Sequence, residues 1–329
     1  MSLGQSLQVR HEVTLCVIFT WMGPGRAYPM TNASDQFETD AKRLNEGSSG
    51  SDRAELPEME PLDVDGAELE VYDSGSGEPV VFVHGGGGDE CFAVLQEPAL
   101  AERYRLIHYH RRGWGDSAST GLPLSIEEQA ADCHAVMQHV GIDRAHVAGL
   151  SYGGIIVLQF AVDFPDAVQT LALMEPAVPQ VLDESPEYHE WKTTAAPLLE
   201  DGEMAAGLDT FFQGICGREY AAAFDRTLPA GWFERWVDDS DTLFQYDAPA
   251  MDAWEFTEAD AAQIDAPVLN VTAADTAAPF KEIHETVQSW LPHAERAVVP
   301  DATHCMLEIN PTGSAEALSE FFSQHPMDR

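Results

Sequence analysis

The pentapeptide Gly149-Leu150-Ser151-Tyr152-Gly153 sets one hydroxyl between glycines. It lies at the seam between a short apolar run, His146 to Leu150, and a denser apolar stretch from Tyr152 to Phe160. A run of the first kind suits a buried strand, and a stretch of the second kind a helix. A serine at such a seam is held in a strained turn, and only glycine beside it lets the neighbouring backbones approach without clashing. The turn also exposes the hydroxyl at a helix N-terminus, whose unpaired N–H groups favour developing negative charge. That neighbourhood fits a nucleophile better than a structural serine.

A seryl hydroxyl is a weak nucleophile near neutral pH and needs a base within hydrogen-bond reach. Imidazole suits the task because it takes and returns a proton close to neutrality. Of the 12 histidines, His304 in "VVPDATHCM" follows the last expected strand. The nearest competitor, His293, precedes that strand and fits a solvated loop. The glycine run His84 to Gly88 lacks the Lys-Ser/Thr of a phosphate loop, so it marks no nucleotide site.

The segments "HGGGG", "YHRRGWGDS", "GLSYGG" and "PDATH", in that order, resemble the α/β-hydrolase superfamily over residues 61 to 325. The resemblance implies the chain order nucleophile, acid, histidine, with Ser151 and His304 at the two ends. It implies oxyanion donors at the backbone N–H groups of Gly86 and Tyr152, and a structural role for His84 in pinning its loop. His110 stands where an aspartate is common, which leaves the hydrogen bonding of that loop open.

Two acids compete. Asp275 follows the strand in "APVLNVTAADTAAPF", although the usual register places the carboxylate one residue later, at Thr276. Glu175 in "LALMEPAVP" resembles the alternative acid position of haloalkane dehalogenases, whose segment also has Met-Glu before the lid. Either carboxylate could orient an imidazole and stabilise its cation. The strand-end position beside a proline favours Glu175, with Asp275 kept as the alternative.

The implied activity is that of a serine hydrolase cleaving a small, uncharged, apolar ester or related acyl compound through an acyl-enzyme, with no cofactor and no metal. Lactonases, carbon–carbon bond hydrolases and cofactor-free haloperoxidases keep the same serine. From another class, a non-catalytic protein of this fold would close on a small molecule without turnover.

The elements needed to place these residues are expected in alternation. "AELEVYDSG", "PVVFVH", "RYRLIHYH", residues 145–150, "VQTLALM", "APVLNVTA" and "ERAVVP" have strand patterns. Ser125 and Glu128 form a capping box for a helix that ends at Gly141, and helices follow residue 152, "FKEIHETVQSWL" and residues 313–323. Alternating strands and helices predict an α/β fold, a mostly parallel, doubly wound sheet covered on both faces. Residues 58–176 and 259–329 form its core. Residues 177–258 predict an all-helical cap, whose Phe211, Phe212, Trp232 and Trp236 are candidates to line an apolar site. Half or more of the cap's aromatics fit its own small core instead.

Acidic residues outnumber basic ones 56 to 17 among 329 residues, giving a formal charge of -39. Such a field disfavours nucleic acid and anionic membranes as partners and leaves a small-molecule substrate. It fits a salty cytoplasm, where screening relieves the self-repulsion. The five scattered cysteines contain no C-x-x-C pair, so free thiols in a reducing compartment are expected. The apolar run Val13 to Gly23 is too short to span a bilayer and lacks a clear cleavage site. The stretch "TNASDQFETDAKRLNEGSSGSDRAELPEME" is polar and has no apolar period, so residues 1 to about 57 are expected to be a flexible extension.

Overall fold

A computed structural model describes residues 57–327. Residues 1–56, and with them nearly all of the expected extension and its apolar run, lie outside the described residues. Eight strands form one sheet: β1 (Glu60–Val64), β2 (Ala67–Gly75), β3 (Glu78–Val83), β4 (Tyr104–Tyr109), β5 (Ala145–Leu150), β6 (Val168–Met174), β7 (Val268–Ala273) and β8 (Glu295–Val299). Their order is β1-β2-β4-β3-β5-β6-β7-β8. β1 and β2 pair antiparallel, as do β2 and β4, and every other pair is parallel.

β1 is the strand that sequence reading missed. In "EPLDV" only Val64 is fully buried, and an edge strand with one covered position has almost no hydrophobic signal. β5 is buried along its whole length, as a central strand between covered faces must be. The two-residue alternation of strand side chains divides the core in two. Val81, Val83, Val147 and Leu171 face the helices Ile126–His139 and Tyr152–Asp163. Val80, Phe82, Ala148 and Ala172 face Phe92, Phe321 and Phe322 on the other side. The capping box at Ser125 and Glu128 is formed, and the helix after it stops at His139 before Gly141, which has φ +73°.

Strand order reverses between β3 and β5. Val83 pairs with Gly149, Leu150 with Met174, and Met174 with Val271. The loops after β3, β5, β6 and β7 therefore open at one edge, the usual place for a ligand site in such sheets. Between β6 and β7, residues 179–261 contain helices and no strand. Among the described residues, no helix is long and apolar enough to cross a membrane.

Candidate active site

Ser151 has φ +54° and ψ -119°, the strained conformation its glycine neighbours anticipate. A Cβ on Gly149 would strike the Gly153 carbonyl, one on Gly153 would strike the Val83 carbonyl, and one on Gly154 would lie 2.7 Å from Pro176 Cα. All three positions are thus closed to any side chain. The backbone of Ser151 is held from both sides of Glu175: its N–H donates to the Met174 carbonyl at 3.0 Å, and its carbonyl accepts from Ala177 N–H at 2.8 Å. The Ser151 hydroxyl makes no hydrogen bond among the described residues.

Glu175 is fully buried, at φ +44°. Its Oε1 accepts from the Thr272 hydroxyl at 2.7 Å and from Ala273 N–H at 2.9 Å. Its Oε2 accepts from the Thr276 hydroxyl at 3.0 Å and from His304 Nδ1 at 2.8 Å. With Nδ1 donating, the neutral imidazole keeps Nε2 as its proton acceptor. Phe280 lies flat on that imidazole, with ring centroids 3.6 Å apart and planes 10° from parallel. The structure thus brings Glu175 and His304 together. It does not bring Asp275, which is exposed on the turn after β7, its N–H bonded to the Ala302 carbonyl at 2.9 Å. Thr276, in the usual acid register, supports Glu175 instead. His293 is exposed in its loop.

In the glycine loop, the Gly85 N–H donates to Glu90 Oε1, and the Gly85 carbonyl accepts from Arg111 Nη2 at 2.8 Å and from His84 Nδ1 at 3.0 Å. His84 Nε2 accepts from Arg111 N–H at 3.0 Å. Burial, helped by the charge of Arg111, holds the His84 pKa well below its ordinary value, so the ring is neutral and serves as a brace. Gly86 N–H has no partner among the described residues, and Tyr152, at the first position of its helix, has no intrahelical acceptor for its own N–H.

His110 fills the place of the expected aspartate. Its Nδ1 lies 2.9 Å from Glu70 Oε2 and its Nε2 3.4 Å from Asp89 Oδ1, the first a hydrogen bond and the second only an ion-pair distance. Burial opposes its charge, yet the neighbouring carboxylates of Asp89 and Glu70 prevail and raise its pKa to about 9. Asp89 continues the chain of charges to Arg235 in the helical insertion, 2.5 Å away. Behind this loop lie two further buried carboxyls. Burial raises the pKa of Glu90, and burial together with the field of Glu90 drives Glu308 well above the usual carboxylate range. One oxygen of each has no hydrogen-bond partner.

The four aromatic candidates are buried in a cluster of rings that also holds Tyr220 and Phe224. Phe212 and Trp236 are 4.2 Å apart between ring centroids, Trp232 and Trp236 5.3 Å, and Phe211 and Phe212 5.9 Å. Of the four, Trp236 touches the glycine loop: a Cβ on Gly87 would collide with its ring. Phe211, Phe212 and Trp232 pack against other rings of the insertion, the second of the two roles that the sequence left open for its aromatics.

The cysteines give a second correction. Cys216, at the end of the insertion's helix Met204–Cys216, is bonded to Cys305, which follows His304 directly. The partners are 89 residues apart, a distance over which spacing carries no pairing signal. Cys91 and Cys133 are free and buried. Among the described residues, no group of three or more His, Cys, Asp or Glu side chains could hold a metal ion.

Residues 78–311 match the family described as alpha/beta hydrolase fold, and the chain belongs to that family. Among curated relatives, a non-heme haloperoxidase of Rhodococcus erythropolis is 27% identical over 269 residues, 78% of this chain and 96% of its own. A dihydrolipoyllysine-residue acetyltransferase component of the acetoin cleaving system, from Pseudomonas putida, is 35% identical over 39% of this chain. The chain spans only about two fifths or less of the length of that protein and the relatives that match next. Among solved structures, the enol-lactonase of Burkholderia xenovorans LB400 superposes with a TM-score of 0.67 at 22% identity, covering 80% of this chain and all of its own.

Proposed function

We propose that the protein is a serine hydrolase that cleaves a small, uncharged, apolar ester or related acyl compound through an acyl-enzyme. The observation that carries the reading is the 2.8 Å bond from His304 Nδ1 to the fully buried carboxylate of Glu175, beside a serine held at φ +54°. Ser151 Oγ attacks the substrate carbonyl while His304 Nε2 takes its proton, and the same nitrogen returns that proton to the leaving alcohol. Glu175 orients the ring and stabilises its cation. The N–H groups of Gly86 and Tyr152 receive the oxyanion, and water repeats the sequence to release the acid. The helical insertion serves as the cap, contributing Trp236 beside the glycine loop. The acidic surface disfavours polyanionic substrates and anionic membranes, and supports a salty environment as the one it works in.

A haloperoxidase or lactonase reaction on the same residues is the second reading, favoured by the relative that covers 78% of the chain and is named a non-heme haloperoxidase. A binding protein without turnover would not need a histidine bonded to a buried carboxylate. Turnover of p-nitrophenyl esters of graded chain length, at low and at molar salt, tests the first reading. The expected result is hydrolysis favouring short apolar acyl groups and absent in Ser151→Ala. Hydrolysis retained in Ser151→Ala would overturn it.

A further inference from the structure

The carbonyl of Gly85 and the N–H of Gly86 are the two ends of one planar peptide, so whatever fixes the oxygen also aims the hydrogen. That oxygen is gripped by Arg111 Nη2 at 2.8 Å, opposite the N–H to which the proposed function gives the oxyanion. Arg111 is 3% exposed, and its guanidinium also lies 4.5 Å from the ring centroid of Tyr152, the residue that carries the second proposed donor. Gln129 joins the same group, accepting from Arg111 Nη1 at 2.9 Å and donating to the Tyr152 hydroxyl at 2.8 Å.

The other side of the guanidinium belongs to the insertion. Nη1 and Nη2 bond Asp247 Oδ1 and Oδ2 at 2.9 and 2.8 Å, a two-point contact with the last residue of the π-helical turn Leu243–Asp247. Asp247 also accepts from Trp114 Nε1 at 3.1 Å. Single π turns inside helices occur often at functional sites. The planar guanidinium fork has fixed donor directions, so a shift of Asp247 cannot be absorbed without moving the hydrogen bond to Gly85.

We infer that Arg111 is a positioning residue that couples the helical insertion, through Asp247, to both halves of the oxyanion hole. With the insertion seated, Asp247 holds the guanidinium against the Gly85 carbonyl and beneath the Tyr152 ring. The Gly86 N–H then points to the place where negative charge develops. With Asp247 displaced, the 85–86 peptide loses its charged partner and keeps only His84. The inference deepens the proposed function and rests on it.

Removing one partner of a buried ion pair leaves an uncompensated charge and threatens folding, whereas apolar replacement of both is often neutral. The test therefore compares Arg111→Met/Asp247→Leu with Asp247→Asn, which keeps the volume and one acceptor oxygen. The readouts are kcat and KM on a p-nitrophenyl ester, the rate of inactivation by a fluorophosphonate, and the melting temperature. The expected result for the double variant is a near-native melting temperature with kcat and the inactivation rate both lowered about tenfold to a hundredfold, and KM changed far less. Asp247→Asn is expected to move the same two rates in the same direction by a smaller factor.

If the stable double variant reacts at the native rate, or only its KM rises, Arg111 merely packs the insertion and the inference is overturned. Native rates in Asp247→Asn contradict it as well, should the double variant not fold. Wild-type protein that takes no fluorophosphonate at Ser151 sinks the hydrolase reading itself. Labelling at Ser151 that the variants do not slow sinks only the coupling.

Discussion

The hydroxyl of Thr276 and the imidazole of His304 bond the same oxygen of Glu175, at 3.0 and 2.8 Å. The residue in the usual acid register has thus become a support for a carboxylate that arrives from the end of β6. Asp275, one residue earlier, turns away into solvent.

The first prediction follows from that exchange. Glu175→Gln removes the carboxylate that fixes the imidazole tautomer and should lower kcat by about 10⁴, as loss of the acid does in other triads. Asp275→Asn should leave turnover unchanged. Parallel ester-hydrolysis assays decide between them: a loss confined to the aspartate variant would show that the acid has been assigned to the wrong strand end.

A second prediction concerns pH and the histidines under the glycine loop. The folded pKa of His110 is raised to about 9, above its ordinary 6.5. Its contribution to stability is therefore complete below about pH 6.5 and is lost as pH rises through about 9. His108 has the opposite sign: burial and the neighbouring charge of His110 depress it to about 3, so its contribution is present above about pH 6.5 and is lost as pH falls. Urea unfolding of the wild type and His110→Gln across this range checks the first sign. The stability gap should be widest near pH 6 and close by about pH 10; a gap that widens toward alkaline pH would refute it.

The charge of -39 makes the third prediction. Screening shortens the reach of repulsion from about 10 Å at 0.1 M salt to about 3 Å at 1 M, so the melting temperature should rise over that range. A melting temperature that falls as sodium chloride is raised would contradict the reading of the surface as adapted to salt.

The bond between Cys216 and Cys305 makes the fourth. It closes a long loop and ties the insertion to the residue next to His304, while the Thr303 hydroxyl donates to the Cys216 carbonyl at 2.8 Å. Cys216→Ser/Cys305→Ser should lower unfolding stability by about 2–4 kcal/mol. Thiol titration of the denatured protein should find two fewer thiols before reduction than after it. Equal counts would remove the bond from the account.

What was legible in the sequence was local. The alternation in β2, the apolar run in β3 and the glycines around Ser151 each depend on residues a few positions apart, where periodicity and backbone sterics act. The histidine could be placed because it follows a recognisable strand. What stayed hidden depended on distant pairs. Phe280 against His304, Arg111 against Asp247, and Cys216 against Cys305 join segments separated by 24 to 136 residues. Arg111, His304 and Cys305 lie in or beside recognisable motifs, but nothing local to them names the distant partner. Aromatic residues in the insertion were ambiguous for the same reason: a ring that lines a site and a ring that packs on another ring have the same composition signal.

The central claim is that Ser151 is the nucleophile and that His304, held by Glu175, activates it. Mass spectrometry of the protein after treatment with a fluorophosphonate measures this most directly. The account expects one adduct, on the peptide containing Ser151, absent in Ser151→Ala and formed far more slowly in His304→Gln. An adduct that persists in Ser151→Ala, or forms at an unchanged rate without the imidazole, would contradict it.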